Sequence, residues 1–137
     1  MSETDRLLGT WFLVEYTLEM ADGQVIRPLG DAPLGQIVYT PEGRMAAHLM
    51  HGGVPDPAAP PAPDPLIGGG YCGGFRIEGG CVYHDVEIAT VPGRPGTTLM
   101  REWSFDGGDL LLVARNGPRV PPPSKGTLRW RRFEGSG

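Results

Sequence analysis

No stretch of this 137-residue chain approaches the ~18 consecutive apolar positions that a membrane helix needs. The opening Met1-Ser2-Glu3-Thr4-Asp5 also lacks the basic-then-apolar pattern of a secretory leader. The expected setting is the cytoplasm, with no membrane partner. Cysteine is scarce: Cys72 and Cys81 stand outside any CxxC or His-rich spacing, which reads as two reduced structural thiols rather than a disulfide or a zinc site. Histidine is equally sparse, and His48, His51 and His84 form neither HxH nor HExxH, so no metal is expected. A nucleophile elbow, a phosphate loop and a dinucleotide fingerprint are all missing, and no cofactor is expected. Positive charge is in deficit, with a formal net charge of −4. No basic cluster is interleaved with a regular aromatic array, so nucleic acid is not an expected partner. The basic run Arg129, Arg131, Arg132 contains Trp130 and Phe133 and fits a last strand better than a nucleic-acid tail.

What the chain has in excess is turn chemistry, with 22 Gly and 15 Pro. Spread evenly, that level would suggest disorder; here it gathers in turns and in residues 52–70, while alternating apolar runs fill the rest. The length suits one domain over residues 1–137. Strand signals recur at short intervals, the pattern of an antiparallel barrel or sandwich rather than of α/β units. Residues 4–8 are a short helical turn at most. Strands are expected at 11–19, 25–27, 35–40, 44–50, 71–78, 81–90, 97–106, 109–115 and 127–133. The turns between them include Ala21-Asp22-Gly23, Pro41-Glu42-Gly43, Gly79-Gly80 and Gly107-Gly108. Residues 52–70 cannot pair in a central sheet, because so many of them lack an amide hydrogen, and they read as an extended excursion; residues 117–124 form a second Pro-rich loop. About eight to nine strands result, and about eight make a small ligand-holding closed barrel. Closure would also remove exposed edges. The fold class is therefore all-β, a closed or nearly closed antiparallel barrel after a short N-terminal helical turn.

Several runs carry a family resemblance. Gly9-Thr10-Trp11-Phe12-Leu13, Arg27-Pro28-Leu29-Gly30, Tyr39-Thr40-Pro41-Glu42-Gly43-Arg44-Met45, Tyr71-Cys72-Gly73-Gly74-Phe75, Val82-Tyr83-His84-Asp85-Val86-Glu87 and Leu128-Arg129-Trp130 resemble the bacterial and fungal lipocalin-like domain family. The likeness spans nearly the whole chain, and the Tyr39 to Met45 run and the His84 strand are its more specific parts. It implies a barrel with an internal cavity, in a family whose members often serve pathways that make small molecules, some binding and some catalysing. Residues 52–70 depart from the pattern, being Pro-rich where members carry a short helix.

Successive strand residues point to opposite faces, so parity sorts inside from outside. Val82, His84, Val86 and Ile88 form the apolar face of their strand, which turns His84 inward. Leu99, Arg101, Trp103 and Phe105 share a face, so Arg101 also points into an apolar lining. In the first strand both faces are apolar; the resemblance, with its Trp at the barrel floor, favours Trp11, Leu13 and Glu15 inside. Tyr71, Phe75 and Ile77 share one face, as do Ile37 and Tyr39. His48 could point either way. A charged Arg and an ionisable His inside an apolar barrel need pairing or a polar ligand. Internal pairing would join Glu15 to Arg101 and His84 to a tyrosine hydroxyl or a carbonyl.

Three functions fit these residues. The first is a cofactor-independent enzyme, a cyclase, isomerase or dehydratase acting on a hydrophobic biosynthetic intermediate. In it His84 moves a proton, Arg101 stabilises an oxyanion or enolate, and Glu15 orients His84 or acts as base. The second is a carrier, sensor or self-resistance protein for a hydrophobic ligand, with Tyr39, Tyr71, Phe75, Trp103 and His48 as contacts and Arg101 meeting a carboxylate or phenolate. A structural module is the third, favoured only if side chains fill the barrel. Apolar residues on both faces of 12–18 and 110–113 suggest that part of the outer wall is covered, and a homodimer would cover it.

Overall fold

The computed structural model describes residues 3–52, 68–115 and 124–134. The Pro-rich excursion expected at 52–70 lies mostly outside these residues, as does most of the loop at 117–124. One short helix, α1 (Glu3–Leu7), leads into nine strands: β1 (Gly9–Glu19), β2 (Val25–Ile26), β3 (Leu34–Tyr39), β4 (Arg44–Met50), β5 (Gly68–Glu78), β6 (Cys81–Ala89), β7 (Thr98–Asp106), β8 (Asp109–Arg115) and β9 (Lys125–Arg132). Every pairing is antiparallel. The sheet runs β2-β1-β3-β4-β5-β6-β7-β8-β9, and a further β1–β9 ladder closes it. Among the described residues this is an eight-stranded closed barrel with β2 appended to the end of β1, so the expected all-β barrel is the fold found.

The alternation that marks each strand in the sequence also sets its burial. Trp11 and Leu13 are buried while Phe12 is exposed, and Ile37 and Tyr39 are buried in β3. The tight β5–β6 and β7–β8 turns each open with a glycine at positive φ, Gly79 at 60° and Gly107 at 65°, a conformation that costs a side-chain-bearing residue energy.

Two bulges interrupt the alternation and decide what reaches the lumen. In the β1–β9 ladder the register steps from Leu13–Trp130 to Glu15–Arg129, which leaves Val14 as the extra residue. Such an insertion flips the parity of everything after it. Trp11 and Leu13 face in before it; Tyr16 and Leu18 face in after it. In β5–β6 the register steps from Cys72–Ile88 to Gly73–Val86, with Glu87 extra. Val82, His84 and Val86 are buried as expected, but Ile88, beyond the bulge, is 67 % exposed rather than inward.

Packing divides the barrel lengthwise. At the end where β1 starts and β9 finishes, α1 lies across the opening and Leu7, Trp11, Leu110 and Trp130 fill the interior. Fully burying such side chains is worth roughly 1.5–3 kcal/mol each. The Trp11 indole N–H donates to the Leu7 carbonyl at 2.9 Å. The Arg132 guanidinium lies 4.1 Å over the Trp11 ring and donates to the Leu8 and Arg6 carbonyls, tying α1 to β9. The opposite half of the barrel is hollow.

Candidate ligand site

The hollow half is a cavity of about 390 Å³, within the range of small-molecule sites. Its wall is mostly aliphatic, including Leu18, Ile37, Leu49 and Leu128, and no Asp or Glu lines it among the described residues. The polar lining is confined to a few groups, chiefly Tyr71, His84, Arg94 and Arg101. No group of three or more His, Cys, Asp and Glu among the described residues could hold a metal ion.

His84 sits at the centre of this polar cluster and is 1 % exposed. Strand β6 places it opposite Phe75 of β5 and Leu99 of β7. Its Nε2 lies 2.7 Å from the Tyr39 hydroxyl and its Nδ1 2.8 Å from the Tyr71 hydroxyl. Both ring nitrogens are thus engaged by phenols. Burial, helped by the nearby Arg101 charge and opposed by Asp85, lowers its pKa to about 3, so the imidazole is neutral at any physiological pH. Burial likewise raises Tyr39 well above the ordinary phenol value, with the neighbouring Tyr71 adding to the rise, and raises Tyr71, with Arg101 and Arg94 opposing that rise. The cluster is a chain of neutral hydrogen-bonding groups, Tyr39–His84–Tyr71, with Phe75 packed edge-on against Tyr39 at 4.8 Å between ring centroids.

Arg101 also lines the cavity, half-buried on the inner face of β7 as its parity predicts. Among the described residues no carboxylate lies within ion-pair reach of it; its guanidinium donates to the Met100 carbonyl at 3.0 Å. Glu15, expected to face Arg101, lies outside the lumen. The bulge at Val14 turns it to the outer surface, where it pairs with Arg27 at 3.1 Å. The inward places on that part of β1 belong to Tyr16 and Leu18.

The remaining expected contacts divide. Tyr71 lines the cavity, whereas Tyr39 and Phe75 stand behind it. Trp103 is away from the cavity lining: it packs against the core and meets Phe105 edge-on at 5.5 Å. His48 faces outward, because β4 buries Met45 and Ala47 and the alternate position is exposed. Its ring lies across Gly70, where a β-carbon would stand 2.4 Å from it.

Parity could not have shown Arg94, which sits in the β6–β7 turn rather than on a strand. Its N–H donates to the Val91 carbonyl at 3.2 Å and the Gly96 N–H to the Val86 carbonyl at 2.8 Å, folding the turn back against β6 so that Arg94 joins the cavity wall. Tyr16 was hidden by the bulge, which the sequence of β1 alone does not announce.

Residues 8–64 match the family model of the lipocalin-like domain. Among solved structures, a lipocalin-like protein from Bacteroides uniformis superposes with a TM-score of 0.50 at 14 % identity, covering 93 % of this chain and 99 % of that one. At that identity the likeness speaks for the fold. No curated protein matches this sequence. The Gly9-Thr10-Trp11 opening, the matched segment and the closed barrel agree, and the chain has a lipocalin-like fold.

Proposed function

We propose that this protein binds a small, largely apolar molecule in the hollow half of its barrel, as a carrier, sensor or self-resistance protein. The observation that supports it most is the lining: a cavity of about 390 Å³ with mostly aliphatic walls and a few polar groups, Tyr16, Tyr71, His84, Arg94 and Arg101 among them. Apolar walls supply affinity through burial, and a few placed polar groups supply orientation. The reading is tested by isothermal titration or native mass spectrometry against a panel of hydrophobic metabolites. Leu49→Arg, which sets a charge in the wall, should abolish uptake while leaving the fold's circular dichroism intact. Uptake unaffected by Leu49→Arg would place the ligand elsewhere.

A second reading is a cofactor-independent cyclase, isomerase or dehydratase, favoured by the Tyr39–His84–Tyr71 chain beside Arg101. Such a cluster can polarise a carbonyl and stabilise an enolate. The binding reading stands ahead of it because a neutral imidazole engaged on both nitrogens is a weak base, and Glu15, the alternative base, is outside. Catalysis predicts that His84→Ala or Arg101→Leu removes turnover with only a modest loss of affinity; a carrier loses affinity alone.

The unpaired Cys72 and Cys81 fit a reducing, cytoplasmic setting. Outward-facing Leu34, Met50, Ile88 and Met100 favour a homodimer, which sedimentation equilibrium would check, a monomer at all concentrations excluding it.

A further inference from the structure

The arginines among the described residues fall into three groups. Arg27, Arg44, Arg76, Arg115, Arg129 and Arg131 pair with carboxylates. Arg6 and Arg132 lie over the rings of Phe105 and Trp11 at the filled end of the barrel. Arg94 and Arg101 do neither among the described residues, and both line the cavity. Two half-buried cations on a mostly apolar wall, with no carboxylate beside them among the described residues, favour an anion that joins them there.

The tyrosines supply a direction. The Tyr39 hydroxyl is fully buried, and among the described residues its polar neighbour is His84 Nε2. Its proton must go there, since a buried hydroxyl proton without an acceptor is penalised. Nε2 is then the acceptor, so the neutral ring carries its proton on Nδ1 and donates it to the Tyr71 oxygen. Tyr71, which lines the cavity, is left with its own proton to give to whatever occupies the space. Trp130, also in the wall, brings a further buried N–H with no acceptor among the described residues.

We infer that the cavity takes an amphiphilic anion, its carboxylate held by Arg94, Arg101 and the Tyr71 hydroxyl and its apolar body along the aliphatic wall, with Tyr39 and His84 as positioning residues that fix the direction of the Tyr71 donor. The inference rests on the binding function proposed above and adds the class of ligand. Chains of hydrogen bonds polarise one another, so the Tyr39–His84 pair strengthens Tyr71 as a donor without touching the ligand.

The test uses neutral Nile red as a reporter of the cavity and two matched pairs as competitors, dodecanoate against dodecanol and naphthylacetate against naphthylethanol. In the wild-type protein at least one acid should displace Nile red about tenfold more tightly than its alcohol, the size of a charge-assisted contact. Arg94→Gln and Arg101→Gln should each shrink that preference, with Nile red still bound. Tyr39→Phe, nearly isosteric, should shrink it too, although Tyr39 is not in the wall. The ¹⁵N spectrum of the His84 imidazole should show a protonated Nδ1 in the wild type and move toward Nε2–H in Tyr39→Phe. Nile red bound with acid and alcohol equal in both pairs overturns the anion assignment and leaves the binding function standing. A wild-type Nε2–H tautomer overturns the positioning role. Failure of Nile red and of all four competitors to bind overturns the binding function itself, and this inference with it.

Discussion

A single imidazole gives this protein a pH dependence whose sign follows from its burial. His84 has its pKa lowered to about 3 in the folded protein, first by desolvation and then by Arg101, whereas in the unfolded chain it titrates near its ordinary value of about 6.5. Between those values the unfolded state binds a proton that the native state refuses. The stabilisation is therefore whole above about pH 6.5 and drains away as the pH falls toward 3, at about 1.4 kcal/mol per pH unit. Urea denaturation at about pH 7 and about pH 5, above the carboxylate range, should show wild-type stability falling more steeply than that of His84→Gln; parallel profiles would place the imidazole in solvent. Glu15→Ala probes the opposite case. Its pair with Arg27 is exposed, and such pairs are worth little, so stability should stay within about 0.5 kcal/mol of the wild type and ligand uptake should not change. The inward directions of His84 and Arg101 were legible because each lies in a stretch of strand that alternates cleanly, for His84 the part of β6 ahead of the bulge at Glu87. Those of Glu15 and His48 were not: one follows an inserted residue, and the other sits in a strand apolar on both faces.

At the scale of elements, the strands were readable almost to their ends, since a strand is announced by its own alternation and by the turn beyond it. β4 and β8 have the bounds that the sequence suggests; β5 starts earlier, at Gly68, because three glycines that look like loop in isolation pair with Leu49 and its neighbours. Bulges were not readable. An extra residue is defined by the strand opposite, and the partner of β1 across the closing seam lies more than a hundred residues away. The β5–β6 bulge leaves a steric trace that can be tested. A β-carbon on Gly73 would stand 1.9 Å from the Asp85 carbonyl oxygen, whereas one on Gly74 would meet its nearest neighbour at 3.6 Å. Backbone cannot retreat as a side-chain tip can. Gly73→Ala should cost about 3 kcal/mol or more by forcing the two strands apart and lower the melting temperature, while Gly74→Ala next to it should be nearly silent. The paired variants share composition and strand, so equal melting temperatures would mean that the bulge is placed wrongly. Because this bulge also sets the parity of β6, Gly73→Ala should weaken ligand uptake along with stability.

For the molecule as a whole, closure is the property on which cavity and core both depend, and β9 provides it. That strand pairs with β8 on one side and β1 on the other, so each of its amides belongs to a ladder; β2, by contrast, has two residues and pairs with β1 alone. A proline compares the two positions directly, because it removes one amide donor and fixes φ. At Thr127, which faces Val113 and Thr17 at once, the lost donor is interior to the sheet, and the ring obstructs a seam that must stay continuous for the barrel to remain shut. At Val25, exposed and the first residue of its strand, proline is a tolerated occupant. Thr127→Pro should therefore abolish the cooperative unfolding transition and with it the uptake of any ligand, since an opened seam exposes both the aliphatic wall and two unpaired edges that invite aggregation. Val25→Pro should shift the transition by no more than about 1 kcal/mol. Calorimetry reads both. A Thr127→Pro protein that still melts in one transition near the wild-type temperature would show that the sheet does not need its last ladder, and that the hollow half is held by the remaining strands as an open, curved sheet.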